Sequence, residues 1–294
     1  MSSPRLHDYS RLVSYPVQKK LLSLLDGYHR GEGAGSSHEF LDMAEYKPGD
    51  DISAMDWKGT ARLSQPVIKR FESTAVLSII IASDTGAAMA AAGEDGEPKS
   101  ATAEELVRAL AWLVSSHGDL LGLVSGNARS VRTMPARAGV AHSETLIRVA
   151  SASETSGGPS DLLAVLRHVE VGRRRSVIFV ITDESQINAH TAAVLRRLSA
   201  RHEVGVFLIG DYDPTGIGES ADIQDVEAGA IPAFVEGDQI LESQWRMYRR
   251  FRSREVDALL DAIPLRYVRL GGRDGVLDAL ISVMGGGGRG SSAP

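Results

Sequence analysis

Three stretches of the chain are almost continuously apolar, and each ends in an aspartate. They run from Val76 to Asp84, from Val177 to Asp183 and from Val204 to Asp211. A fourth run, Asp119 to Asn127, has the same design and ends in an amide. Strands that are apolar on both faces belong to parallel sheets covered by helices on each side. The runs therefore predict the central strands of such a sheet.

Helical patterns alternate with these strands. A capping box from Thr102 to Glu105 predicts the start of a helix. Further helices are predicted over Tyr15–Asp26, Ser160–Glu170, His190–Ala200, Ser243–Ala262 and Asp274–Met284, with a last strand at Leu265–Leu270. Strands and helices in alternation predict a mainly parallel, doubly wound α/β sheet with right-handed crossovers.

Composition excludes several classes of function. The chain has 294 residues, a formal net charge of −6 and no cysteine. It has no overall basic field for nucleic acid, and no thiol nucleophile or Cys-ligated zinc. It has no signal-peptide pattern and no apolar stretch of the roughly 18 residues that a membrane span needs. We therefore expect a cytoplasmic protein without direct membrane insertion and without a nucleic-acid partner.

Catalytic motifs are absent from the sequence. It contains no Gly-x-Ser-x-Gly, no His-Glu-x-x-His and no Gly-x-x-x-x-Gly-Lys phosphate loop. We accordingly assign no catalytic residues.

Acidic residues at the ends of predicted strands are the first candidate site. Asp84 and Asp183 would meet at the carboxyl edge of the sheet, where open α/β sheets bind ligands. Converging carboxylates suit Mg²⁺ or Ca²⁺. Alternatively, each aspartate only caps the turn that follows its strand. The sequence leaves both interpretations open.

The core, about Leu77 to Asp213, resembles the von Willebrand factor A fold, a three-layer α/β sandwich. The first strand of that family ends in Asp-x-Ser-x-Ser, which coordinates a divalent metal. This chain reads Asp84-Thr85-Gly86-Ala87-Ala88, so both serines are missing. Gly86 and Ala88 have no side-chain oxygen to offer.

The resemblance implies that Asp84, Ser160 and Asp183 are what remains of the metal site. Ser160 has an alternative role, since it precedes an apolar helical run and could be its N-cap. We expect either a weak Mg²⁺ site completed by water or no metal.

A second resemblance rests on an ordered motif before the core. The sequence Tyr46-Lys-Pro-Gly-Asp50-Asp51, followed by Asp56-Trp57, resembles the family catalogued as domain of unknown function 58. With the core included, the resemblance covers roughly residues 27–284. Ala44 stands where that family usually carries Arg, which marks a divergent member.

The second resemblance implies a protein-interaction adaptor that works with a MoxR-type AAA+ ATPase and a client protein. Its role would be protein or metal-cofactor maturation. The residues expected at the interaction surface are Thr85, Asp50, Asp51, Asp56 and Trp57. The motif could instead be scaffolding, with Trp57 packed on the core and Asp56 accepting a hydrogen bond.

Two rival functions remain open. Asp50, Asp51 and Asp56 could hold a metal for a hydrolase or nuclease, or the whole chain could be a structural scaffold. Five arginines also crowd the predicted helix near residues 243–262: Arg246, Arg249, Arg250, Arg252 and Arg254. We interpret them as a solvated face whose side-chain stems cover the core, with docking of an acidic partner as the alternative.

Four segments are predicted along the chain. Residues 1–74 form an N-terminal helix and motif segment, and residues 75–213 form the von Willebrand A-like core. Residues 214–284 complete the domain, and the Gly/Ser-rich residues 285–294 are expected to be disordered.

Overall fold

The computed structural model describes Leu6 and residues 13–31, 39–46, 55–63, 65–72, 76–152, 158–169, 175–213, 224–225, 229–230, 239–285 and 291–292. The chain divides into two compact units. One comprises Met1–Leu25 with Ser78–Pro294, and the other comprises Asp26–Leu77. The four segment boundaries drawn from the sequence stay a prediction.

The helices are α1 (Tyr15–Gly31), α2 (Trp57–Leu63), α3 (Ala87–Ala90), α4 (Lys99–His117), α5 (Val140–Ala152), α6 (Leu162–Arg167), α7 (Ala189–Ser199), α8 (Gln239–Asp261) and α9 (Val276–Gly285). The strands are β1 (Glu39–Glu45), β2 (Val67–Glu72), β3 (Ser78–Asp84), β4 (Leu120–Gly126), β5 (Val131–Arg137), β6 (Val177–Asp183), β7 (Glu203–Ile209), β8 (Gln224–Asp225), β9 (Gly229–Ala230), β10 (Arg266–Leu270) and β11 (Ser291–Ser292). Short 3₁₀ turns span Glu184–Gln186 and Arg273–Gly275.

The larger unit is built on one sheet with the strand order β11-β10-β7-β6-β3-β4-β5. All neighbouring pairs are parallel except β4 and β5, which are antiparallel. The sheet runs outward in both directions from β3, as in doubly wound folds. The predicted α/β class, with a mainly parallel, doubly wound sheet, is confirmed.

Helices cover both faces of this sheet. Helices α6, α7 and α8 lie on one face, around an apolar cluster that includes Ile80, Val180, Leu195, Val206 and Leu260. Helices α4, α5 and α9 pack on the other face. All seven residues of β6 are buried, as the unbroken apolar run predicts.

Two predicted helix starts are wrong. Helix α4 begins at Lys99, a turn before the predicted capping box, and Thr102 is buried inside the helix. Asp161, and not Ser160, is the N-cap of α6, with its carboxylate accepting from the amide of Ala164. The Ser160 side chain therefore does not cap α6 and can hydrogen-bond elsewhere.

The smaller unit is an antiparallel pair of strands with a short helix between them. Strands β1 and β2 pair from Glu39 with Glu72 to Glu45 with Val67. Two amides near the motif donate to this pair, that of Tyr46 to the Pro66 carbonyl and that of Asp56 to the Val67 carbonyl. These contacts anchor the first residues of β2 beside the end of β1.

The last described residues form an edge strand of the large sheet. Ser291 and Ser292, in the segment predicted to be disordered, pair with Val268 and Arg269 of β10. Among the described residues, no helix combines the length and apolarity needed to cross a membrane.

Candidate functional site

The carboxyl ends of β3, β6 and β7 lie side by side because these strands are parallel neighbours. Asp84 is the last residue of β3, Asp183 is the last residue of β6, and Asp211 follows β7. We call this region the carboxyl edge. The sequence prediction that Asp84 and Asp183 share one edge follows directly from this topology.

Asp84 is almost fully buried, with 1% of its surface exposed. Its Oδ1 accepts a hydrogen bond from the Gly86 amide at 3.0 Å. Burial raises the pKa of Asp84 to about 6, against hydrogen bonds from Gly86 and Ser160 that lower it, and the charge of Asp183 adds to the rise. Its Oδ2 has no hydrogen-bond partner in the described part of the chain.

Ser160 lies against the turn that follows β3. Its Oγ accepts from the Ala88 amide at 3.2 Å and also hydrogen-bonds with Asp84. A Cβ built on Gly86 would lie only 2.2 Å from the Ser160 Cα, so the two backbones are in direct contact. Asp84 and Ser160 are therefore together, as the sequence predicts, with no room for a side chain at position 86.

Lys99 is the residue that sequence reasoning missed. It is the first residue of α4, and only 1% of its surface is exposed. Its Nζ forms ion pairs with Asp183 Oδ2 and Asp211 Oδ1. Burial disfavours its charge, but the two carboxylates outweigh burial and raise the pKa of Lys99 above its usual value. Its charged ammonium therefore lies between the ends of two strands.

The two carboxylates that hold Lys99 differ in exposure. The side chain of Asp183 is 2% exposed, whereas that of Asp211 is 47% exposed. Asp183 Oδ1 also accepts from the Ser185 amide at 2.6 Å and so caps the 3₁₀ turn, as the capping interpretation predicts. Burial and the charge of Asp183 raise the pKa of Asp211, while Lys99 and Arg249 oppose that rise.

Two cavities lie at the carboxyl edge. One, of about 20 Å³, is lined by residues that include Ser83, Asp84, Thr85 and Ser125, and it is about the size of one water molecule. Thr85 is partly buried, and its Oγ1 has no hydrogen-bond partner among the described residues.

The other cavity, of about 170 Å³, is lined by Asp211 and by charged residues that already pair with each other. Arg249 pairs with Glu94 at 2.7 Å, and Arg269 pairs with Glu184. Both volumes are below the roughly 300 Å³ of common small-molecule sites.

Of the three residues that the resemblance implies as metal ligands, Ser160 and Asp183 are already engaged by other groups, so this set does not fit a divalent metal. The Ser160 Oγ is engaged by Asp84 and by the Ala88 amide. Asp183 is engaged on both oxygens, by Lys99 and by the Ser185 amide. Within the described ranges, no three His, Asp or Glu side chains are grouped so that they could hold a metal ion.

The motif segment of the smaller unit is only partly described. Asp50 and Asp51 lie outside the described residues, so the predicted carboxylate cluster stays a prediction. Asp56 is buried, and its Oδ1 accepts from the amides of Lys58 and Gly59 at the start of α2. The predicted hydrogen bond to Asp56 is confirmed, and backbone amides are the donors. Trp57 is 69% exposed, and its predicted interaction role stays a prediction.

The arginines of α8 divide between two roles. Arg249 and Arg252 contact the loops at the carboxyl edge. Arg249 donates to Glu94, and Arg252 donates to the carbonyls of Glu184 and Ile187 at 3.0 and 2.6 Å. Arg250 and Arg254 are exposed and form no ion pair in the described part of the chain. The predicted solvated face therefore accounts for only part of the cluster.

Comparison with known proteins identifies the relatives of this chain. A family model described as "Protein of unknown function DUF58" matches residues 42–241. The uncharacterized protein Rv1480 of Mycobacterium tuberculosis (strain H37Rv) is 30% identical over 242 residues, which cover 80% of this chain and 75% of that protein. The uncharacterized protein Mb1516 of Mycobacterium bovis matches with the same figures.

Solved structures with similar folds have low sequence identity. The conserved hypothetical protein BatB from Bacteroides thetaiotaomicron is 17% identical, covers 71% of this chain and 98% of its own, and superposes with a TM-score of 0.46. An aerotolerance-related membrane protein from Bacteroides fragilis is also 17% identical, covers 71% and 99% of the two chains, and has a TM-score of 0.44. A von Willebrand factor type A protein from Catenulispora acidiphila is 12% identical, with 85% and 50% covered and a TM-score of 0.42.

Proposed function

Since the chain belongs to the family described as protein of unknown function DUF58, we propose that it is a non-catalytic adaptor that binds other proteins. Its partners would be a MoxR-type AAA+ ATPase and a client whose folding or metal-cofactor maturation that ATPase drives. The ATPase partnership follows from the family resemblance carried by the Tyr46–Asp51 motif and by Asp56-Trp57. The sequence has no phosphate loop of its own, so a partner must supply the energy of ATP hydrolysis.

The closed carboxyl edge is the observation that supports binding over catalysis. A general acid or base must reach a substrate, and its proton must be free to move. Here Asp183 is ion-paired to Lys99 and is 2% exposed, and Asp84 is 1% exposed. The adjacent cavities of about 20 and 170 Å³ are small for a substrate.

The surface that would meet a partner is the set of loops around this edge. Ser185 lies two residues after Asp183 and is exposed, and the side chain of Asp211 is 47% exposed. Buried ion pairs beneath these loops fix their backbone without presenting the buried charges themselves. A partner would therefore contact the surface of these loops and the half-exposed Asp211. The buried Asp84 and Asp183 would hold the loops in shape without touching the partner.

The test is affinity capture of the tagged chain from its own cells, with ATP and Mg²⁺ or with neither, followed by mass spectrometry. We expect an AAA+ ATPase that is enriched when ATP is present. Ser185→Arg should reduce its recovery at least about 10-fold, because a bulky cation would stand in a packed interface. Ala200→Arg is the matched control, since it adds the same side chain at an exposed position where α7 ends, before β7 begins.

Two outcomes would count against the proposal. If no AAA+ ATPase is recovered with or without nucleotide, the partnership is wrong. If Ser185→Arg and Ala200→Arg capture equal amounts, the carboxyl edge is not the binding surface.

A further inference from the structure

We infer that the Lys99 ammonium takes the place of the divalent cation at the carboxyl edge. The positive charge of this von Willebrand A-like unit then comes from one of its own side chains and not from a bound metal ion. The inference concerns the chain's own side chains and does not depend on the ATPase partnership.

The position of Lys99 is the first argument. Its Nζ lies between Asp183, at the end of β6, and Asp211, two residues after the end of β7. The fold-family resemblance assigns Asp183 to the metal site, so the ammonium contacts one of the carboxylates that an ion would neutralise. The buried carboxylate of Asp183 needs a compensating positive charge, and Lys99 supplies it without an ion from solution.

The second argument is that the ammonium stays in place. Lys99 is the first residue of α4, a helix of 19 residues, so its backbone is fixed by the helix packed on the sheet. With 1% of its surface exposed, it cannot swing into solvent without opening the edge.

The two serine positions of the metal motif are occupied by residues without a side-chain oxygen. Gly86 cannot become a serine without displacing Ser160, because a Cβ on Gly86 would come within 2.2 Å of the Ser160 Cα. Gly86 and Ala88 carry no side-chain oxygen, and Ser160 is already used. The turn after β3 therefore offers no replacement for the missing serine oxygens, whereas Lys99 pairs directly with Asp183.

The test is binding of Mn²⁺ to the purified full chain, measured by electron paramagnetic resonance, with thermal unfolding in Mg²⁺ or in EDTA. We expect no saturable Mn²⁺ binding up to about 1 mM and the same Tm in both buffers, since Lys99 already pairs with Asp183 and Asp211. Lys99→Met should lower Tm by about 10 °C, because it leaves the buried carboxylate of Asp183 without its ion-pair partner. Mg²⁺ should restore part of that loss.

Two further variants keep the result interpretable. Lys58→Met removes an exposed lysine and should leave Tm unchanged. If Lys99→Met does not fold, Lys99→Met combined with Asp183→Asn should recover the fold, because the unpaired buried charge is then gone.

The inference is overturned if the wild-type chain binds Mn²⁺ saturably and Asp183→Asn abolishes that binding. It is equally overturned if Lys99→Met folds with an unchanged Tm. Neither outcome concerns the capture of an ATPase, so this result and that of the proposed function can fail independently.

Discussion

The turn after β3 brings Gly86 directly against Ser160: a Cβ on Gly86 would lie 2.2 Å from the Ser160 Cα and 2.4 Å from its backbone nitrogen. Both neighbours are backbone atoms, which a rotamer change cannot move. The same contact aligns the Ala87 amide with the Gly158 carbonyl at 2.9 Å. Two loops that are distant in sequence are thereby joined, and glycine at position 86 is what allows it.

Gly86→Ser would restore one serine of the metal motif in the sequence. We expect it to destabilise the protein by about 3 kcal/mol, because the added atoms force the two loops apart. Chemical unfolding measures this loss. Gly285→Ser is the control, since a Cβ there meets only Leu24 at 3.6 Å, an ordinary contact. Equal stability of both variants, or tight metal binding by Gly86→Ser, would contradict the expectation.

Asp84 should make the protein less stable as the pH rises. Its pKa is about 6 in the folded chain and near its usual 3.8 when unfolded, so folding favours the protonated carboxyl. The associated stability is complete below pH 3.8 and is lost as the pH rises through 6. The difference corresponds to roughly 3 kcal/mol. Asp84→Asn, which keeps an oxygen for the Gly86 amide, should therefore be more stable than wild type above pH 6.

Unfolding by urea at several pH values between 4 and 7.5 measures this effect. The wild-type and Asp84→Asn curves should converge near pH 4 and separate as the pH rises. Parallel curves over the whole range would mean that Asp84 does not titrate differently in the folded state.

The central strands could be predicted from the sequence because burial on both faces leaves an unmistakable pattern. The runs ending at Asp84 and Asp183 became β3 and β6 with the predicted ends. Strand β5 was not predicted, because its residues alternate between partly buried and exposed and it contains Pro135. Such a sequence is typical of an edge strand, and it resembles a loop when read alone.

The candidate site was only half predictable. Asp84 and Asp183 follow from the strand pattern, since parallel strands end at one edge. Lys99 pairs with Asp183 and Asp211, which lie 84 and 112 positions farther along the chain. No local sequence pattern encodes contacts between residues so far apart. The one available signal in the sequence is Asp211, a third acid at the end of an apolar run, because several carboxylates at one edge need a compensating positive charge.

Asp56 should behave as a helix cap. Its Oδ1 accepts from the amides of Lys58 and Gly59, so Asp56→Ala should cost about 1 kcal/mol of stability, while Asp56→Asn keeps the acceptor and most of that stability. Chemical unfolding compares the two variants. Asn also removes the charge that a metal-dependent nuclease would need. Phosphodiester cleavage that Asp56→Asn abolishes in a stable protein would favour the hydrolase hypothesis over the adaptor.

Arg252 should hold the 3₁₀ turn that follows Asp183. Its Nη2 donates to the carbonyls of Glu184 and Ile187, which ties α8 to the loop that supports the carboxyl edge. In Arg252→Met these carbonyls lose a charged donor, and the local opening free energy should fall by about 1.4 kcal/mol. Amide hydrogen exchange over residues 184–187 should then accelerate roughly 10-fold.

Arg250→Met is the matched control for this prediction, because Arg250 lies on the same helix and is exposed, with no ion pair among the described residues. Its exchange rates over residues 184–187 should equal those of wild type. The comparison removes the effect of deleting a positive charge and leaves only the loss of the carbonyl contacts. If both variants exchange at the same rate, the turn is held by Asp183 and its own backbone, and α8 has no part in shaping the edge.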